Sequence, residues 1–196
     1  MTEHYSTPKP TSDERFGEYR YRIGERDVAI TTVSGVFGKD GLDRGSQVLI
    51  EYVDLSGASS LLDLGCGTGV VGIALSKRFS LQVTFSDINE RAVRIAERNA
   101  RRNDVDGSFV VSDGFERIEG RFDAIALNPP QSAGRATCER LISEARAFLT
   151  PGGRLYVVAR HNKGGRSLSA FMESLYPTVT VITRKSGYRV YAGAVQ

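Results

Sequence analysis

One stretch limits what this chain can become: LLDLGCGTGVVG, residues 61–72. The apolar run at 60–64 reads as a buried strand, and a helical pattern opens at Val70. Only five residues lie between them, and three, Gly65, Gly67 and Gly69, are glycine. So short a strand-to-helix turn calls for left-handed backbone, which glycine adopts without a Cβ penalty. The chain after it repeats the unit. Strands are predicted at 81–87, 108–113, 122–128 and 154–160, and helices at 70–79, 88–103, 135–149 and 164–176. Such alternation implies parallel strands with helices on both faces. The last two strands, 178–184 and 188–194, are joined only by Lys185-Ser186-Gly187. A parallel crossover needs about a dozen residues, so the final strand should be antiparallel. The expected fold is α/β: a doubly wound, mostly parallel seven-stranded sheet with an antiparallel last strand.

Ahead of the sheet, YRYRI (19–23) and VAITTV (28–33) read as a β-hairpin. A glycine-rich loop, 34–45, leads to a helix at 46–55 that Asp43 or Ser46 could cap. The expected division is a flexible tail at 1–14, a hairpin-and-helix extension at 15–55 and the main domain at 56–196. At 196 residues one domain is the natural size. No apolar run approaches the ~20 residues of a membrane span, and the polar N-terminus is no secretory signal. Cys66 and Cys138 form no CxxC pair, and His4 and His161 stand far apart, so neither a zinc site nor a disulfide framework is expected. These features fit a cytoplasmic protein without metal or membrane attachment; they leave the oligomeric state open, with a monomer plausible. The formal net charge of +3 is mild, but residues 151–196 carry seven Lys/Arg against one Asp/Glu. That asymmetry suits either a polyanionic partner or a plain solvated face.

The glycine loop can admit a ligand close to the backbone, and the helix after it could offer free N–H groups to a ligand oxygen. Gly67 to Gly72 is also a literal GxGxxG, with Asp87 20 residues beyond Gly67, so a nicotinamide or flavin enzyme is an alternative. Against it, Gly65 already occupies the strand end, and the Asp63 carboxylate two residues earlier would crowd a pyrophosphate. A carboxylate there suits a cationic ligand. The second motif is NPP, 128–130, closing the fourth strand. Pro129 and Pro130 lack N–H donors, leaving the Asn128 side-chain oxygen and a backbone carbonyl as acceptors for an –NH2 group. Asp113-Gly114 closes the third strand, either as an Asx turn or as an acceptor for an adenine amine.

Together, LLDLGCGTG, Asp87, Asp113 and NPP resemble the class I S-adenosylmethionine-dependent methyltransferases, whose fold is Rossmann-like. Within that class, SGVFGKDGLDRGSQVLIE before the core, LTPGGRL and SGYRV are similar to the small-methyltransferase domain of rRNA guanine-N2 methyltransferases. The resemblance implies S-adenosylmethionine as cofactor. Asp63, Gly65, Cys66 and Gly67 would line its methionine part, Asp87 its ribose hydroxyls, Ile88 the adenine face, and Asp113 with Gly114 the adenine edge. Asn128 and Pro129 would hold the acceptor amine, with Pro130, Gln131 and Phe37 beside the substrate. The family motif usually continues into an aromatic residue that stacks on the target base, and this chain has Gln131 instead. Phe37 could supply that ring or cap the cofactor. The activity implied is methyl transfer to an exocyclic amine, guanine N2 of rRNA first, with RNA as partner. Adenine N6, a protein glutamine amide, or an idle cofactor-binding RNA assembly role are the alternatives.

Overall fold

The structure, a computed structural model, describes residues 7–38, 41–129 and 134–196. Its main sheet holds β3 (Ser60–Leu64), β4 (Gln82–Asp87), β5 (Gly107–Val111), β6 (Phe122–Leu127), β7 (Leu149–Arg160), β8 (Thr178–Lys185) and β9 (Tyr188–Ala194). The spatial order is β5-β4-β3-β6-β7-β9-β8, and β9 runs antiparallel to both neighbours. From β3 the chain winds outward to β5, then returns to β6 on the other side of β3. In open α/β sheets a reversal of this kind leaves a crevice at the strands' carboxyl ends, where ligands bind. Leu64 pairs with Leu127 across the switch, so Gly65 and Asn128 leave the sheet side by side.

The two sheet faces follow the pleat. Leu61, Ala124 and Ala126 face one layer, with α1 (Arg44–Tyr52), α2 (Val70–Phe79) and α3 (Glu90–Arg102). Leu62, Ile125 and Leu127 face the other, with α4 (Gly134–Ala145) and α5 (Arg166–Leu175). Val48, Leu49 and Ile50 of α1 share one core with Leu61 and Ile73, so the N-terminal extension packs as part of the main body. Its hairpin, β1 (Phe16–Ile23) and β2 (Arg26–Val33), forms a separate two-stranded sheet turned at Gly24. Side-chain amides dock it on α3. Asn103 accepts from the Ala29 N–H at 2.9 Å and donates to the Ala29 carbonyl at 2.8 Å.

Three boundaries differ from expectation. α1 spans 44–52 rather than 46–55, and of the two candidate caps it is Asp43 that takes the N–H groups of Gly45 and Ser46. β7 already begins at Leu149, ahead of TPGG, which loops out of it as a tight turn: Phe122 pairs with Leu149 and Ala124 with Arg154, Gly152 has φ +77°, and a Cβ on Gly153 would lie 2.9 Å from the Thr150 carbonyl oxygen. A kinked turn, His161–Gly165, with non-helical backbone at Lys163 and φ +91° at Gly164, precedes α5. From Pro8 onward the segment expected as a tail makes contacts with α3. The Pro8 carbonyl accepts from the Glu90 N–H at 3.1 Å. Arg91, buried, donates to the carbonyls of Ser12 (2.7 Å), Pro10 (3.3 Å) and Ser34 (2.9 Å). Arg94 pairs with Glu14 at 2.9 Å. Residues 1–6 lie outside the described residues.

Candidate active site

A cavity of about 360 Å³ opens at the switch point, lined by Phe37, Gly65, Asp87, Ile88, Asp113, Gly114 and Asn128 among others. Its size suits a nucleoside-like ligand. Asp63 at the end of β3 and Cys66 of the glycine loop line a small hollow with Tyr19, Asp43 and Thr68. Pro129 borders a further hollow of about 170 Å³, with Cys138, Arg160, Lys163 and Tyr188. Asn128 lines all three. Pro130 and Gln131 lie outside the described residues.

The three loop glycines have φ of +71° (Gly65), +54° (Gly67) and +79° (Gly69), as the short turn demands. Their surroundings differ. A Cβ on Gly65 would meet nothing within 4 Å, whereas one on Gly69 would stand 3.0 Å from the Ala96 Cβ of α3. Gly65 opens onto the cleft, and Gly69 lets two helices close up. Of the N–H groups expected to be free at the start of α2, that of Gly72 is taken by Asp63 at 2.8 Å, and the loop ahead of the helix is engaged as well. Gly65 and Cys66 donate to the Ser86 carbonyl at 2.7 and 2.9 Å, Gly69 to the Cys66 carbonyl at 2.8 Å, and Gly67 to the Asp87 carboxylate at 2.9 Å. A loop with four of its donors engaged is a poor cradle for a pyrophosphate, which weighs against the dinucleotide alternative.

The cleft is instead rich in acceptors. Asp87 also takes the Asn89 N–H at 3.0 Å, and burial pushes its pKa up. Asp63 accepts from the Gly72 N–H at 2.8 Å; burial, reinforced by Asp87, pushes it up to about 7. The Cys66 thiol is likewise held well above its ordinary range by burial, and so stays neutral. Two carboxylates in low dielectric favour a cationic, hydroxyl-bearing ligand. Asp113 borders the same cavity, but its carboxylate is ion-paired with Arg140. Gly114 has φ +55°, and a Cβ there would press to 2.9 Å of Leu141 Cδ2. Phe37 stands over the loop, with its carbonyl 3.2 Å from where a Gly67 Cβ would sit. It borders the large cavity and the small hollow but not the one at Pro129.

Asn128 is held by its nitrogen. Nδ2 donates to Ser46 Oγ at 3.1 Å and to Asp43 Oδ1 and Oδ2 at 3.2 and 3.4 Å. Its oxygen accepts no hydrogen bond among the described residues. A Cβ on Gly45 would lie 3.2 Å from that oxygen and 3.2 Å from Tyr188 Cε1. The sequence reading missed Tyr19 and Tyr188, and saw Asp43 and Ser46 only as caps. Nothing local marks them, since each reaches the site by tertiary packing. Among the described residues, no His/Cys/Asp/Glu group could hold a metal, and no helix is long and apolar enough to cross a membrane.

Comparison with known proteins gives a consistent picture. The family described as "Methyltransferase small domain" matches residues 27–192. The uncharacterized protein YbxB of Bacillus subtilis (strain 168) is 31% identical over 97% of both chains. The ribosomal RNA small subunit methyltransferase C of Serratia proteamaculans (strain 568) is 31% identical over all of this chain, which spans 61% of that protein. The solved structure of the T. thermophilus 16S rRNA N2 G1207 methyltransferase, in complex with AdoMet and guanosine, superposes with a TM-score of 0.79. It is 20% identical, covering 95% of this chain and 52% of its own, and shares the fold.

Proposed function

The chain belongs to the methyltransferase small-domain family, and from that premise we propose that it transfers the methyl group of S-adenosylmethionine to an exocyclic amine, guanine N2 of small-subunit rRNA, in the cytoplasm. The observation that carries this reading is the position of Asn128. It borders both the large cavity and the hollow at Pro129, so a donor seated in one and an acceptor in the other meet at its side chain. The donor set fits the cofactor: Asp63 for an ammonium, Asp87 for vicinal hydroxyls, Ile88 for an apolar ring face, and Gly65 with no Cβ to obstruct it.

When bound, the cofactor supplies an electrophilic methyl group on a sulfonium. The protein's part is positioning and electrostatics. Holding an amine in line with the methyl can account for about 7–11 kcal/mol of barrier reduction. The Asn128 amide oxygen and the Pro129 carbonyl accept the amine's two N–H groups, which favours a more tetrahedral nitrogen and offsets the positive charge developing on it. No side chain need abstract a proton, because water can take it after transfer.

The RNA partner rests on charge. Seven of the eight charged Lys/Arg/Asp/Glu side chains in residues 151–196 are basic. Arg135, Arg160 and Lys163 line the hollow at Pro129, and partial desolvation together with Arg189, Arg166 and Arg184 holds His161, two residues before Lys163, below its usual pKa. Labelled methyl transfer to ribosomal particles and to naked RNA, followed by nucleoside mass spectrometry, tests the reading. N2-methylguanosine is expected. Label on protein glutamine or on adenine would replace the substrate, and calorimetric binding of NADH in place of S-adenosylhomocysteine would replace the reaction class.

A further inference from the structure

We propose that Asp43 is the positioning residue for Asn128, setting which end of its amide faces the acceptor. The proposal rests on the reading above, in which that amide receives the amine. The two ends of an asparagine amide are nearly the same size, so packing alone chooses poorly between them. A neighbour that can only accept hydrogen bonds does choose. An ionised carboxylate is such a neighbour, and it lies 3.2 and 3.4 Å from Nδ2. Ser46 Oγ, at 3.1 Å, can donate or accept and so follows the orientation that Asp43 imposes. Nδ2 is therefore turned toward α1, and Oδ1 is left beside the space that Gly45 keeps open next to Tyr188.

The carboxylate is itself held in place. Asp43 Oδ1 accepts from the Gly45 and Ser46 N–H groups at 2.9 and 3.2 Å, as the N-cap of α1. The start of α1 is latched to the β8–β9 turn by Arg44 Nη2, which donates to Ser186 Oγ at 2.8 Å. A helix cap and an orienting acceptor are thus the same group.

The variant that separates these roles is Asp43→Asn. Asparagine caps a helix about as well as aspartate. With its oxygen on the Gly45 and Ser46 N–H groups, however, its NH2 takes the place of Oδ2 and confronts the NH2 of Asn128. The retained oxygen, 3.2 Å from Nδ2, favours the original orientation and the new NH2 at the Oδ2 position favours the reverse, so the Asn128 amide populates both and a donor faces the acceptor hollow part of the time. Two measurements on the full chain follow. The first is the side-chain amide pair of Asn128 in a 15N–1H spectrum, identified by its absence in Asn128→Ala. It should shift strongly in Asp43→Asn while the melting temperature stays close to wild type. An unmoved pair overturns the proposal, whether or not the protein transfers methyl groups. The second is single-turnover methyl transfer at saturating cofactor. One lost preorganised contact costs about 10²–10³ in rate, and Asp43→Asn, whose amide can still rotate back, should lose about 10-fold with unchanged cofactor affinity. In an Asn128→Ala background the same change should cost nothing further. An equal loss in both backgrounds makes Asp43 structural only and overturns the proposal. A wild-type protein without methyl transfer defeats the functional reading instead, and the spectrum still decides the amide's orientation.

Discussion

Asn99 of α3 pairs with Thr31 of β2 as another strand would. Its Oδ1 accepts from the Thr31 N–H at 2.8 Å, and its Nδ2 donates to the Thr31 carbonyl at 2.8 Å. The same nitrogen donates to the Thr68 carbonyl at 2.9 Å. One buried amide therefore joins the hairpin edge, α3 and the glycine loop.

Asn99→Ala leaves the Thr31 N–H and two carbonyls without these partners. Each buried group stripped of its hydrogen bond costs about 1–3 kcal/mol, and the three are not independent. A loss near 3 kcal/mol is expected in denaturant unfolding. A loss under about 1 kcal/mol would mean that water replaces the amide and that the hairpin is docked by packing alone.

The Asp63 carboxyl gives the fold a pH dependence. Its pKa rises from 3.8 in the unfolded chain to about 7 when buried. Between those values the folded state holds more protons than the unfolded state, so stability falls as pH rises from about 4 to 7. Asp87, also raised, acts in the same direction. Asp63→Asn should flatten this slope in urea titrations at several pH values. A cationic ligand group beside Asp63 favours the ionised form, so cofactor affinity should increase with pH toward about 7, with proton release on binding. Calorimetry in buffers of different ionisation heat measures that release, and equal heats in all of them would remove the ammonium assignment.

Asp87 ties the loop to the start of α3 and, in the proposed complex, accepts from ribose hydroxyls. Hydrogen bonds to a charged group are worth about 1.5–3 kcal/mol, so Asp87→Ala should weaken binding by about 10–150-fold. Titration with S-adenosylhomocysteine reads this directly. Wild-type affinity would take the ribose away from Asp87.

If the basic surface meets RNA, affinity should drop with salt at a log–log slope of about −0.7 per phosphate neutralised on a single strand. Charge reversal at Lys163, Arg166, Arg184 and Lys185 should lower RNA affinity and shallow the slope, with S-adenosylhomocysteine binding unchanged. An unaltered RNA titration would reduce the cluster to a solvated face and favour a non-RNA amine.

The parts legible in the sequence are those governed by local pattern. β3 and α2 fall on the expected residues, because an apolar strand, three positive-φ glycines and an amphipathic run leave little freedom. Asp87, Asp113 and Asn128 were placed at strand ends, and the sheet order brings them to one crevice. Thr150-Pro151-Gly152-Gly153 reads locally as a turn and is one, with Gly152 at φ +77°, but the strand pairing of Leu149 ahead of it depends on β6 and was not legible. Asp43 lies 85 residues from Asn128, and no periodicity encodes a contact of that range. The engaged loop N–H groups were also illegible, since their acceptors belong to β4 and to the loop's own fold.

The strap from Pro8 to Glu14 bears on where this chain can be shortened for production. Begun at residue 15, it would lose the Pro10 and Ser12 carbonyls and the Glu14 carboxylate that surround the buried Arg91 guanidinium. That cation sits in the first turn of α3, directly after the Asn89 cap and four residues past Asp87. Trimming those residues would leave a charge short of acceptors beside Asp87. A preparation cut there could be well expressed and yet report a cofactor affinity that belongs to the truncation rather than to the protein.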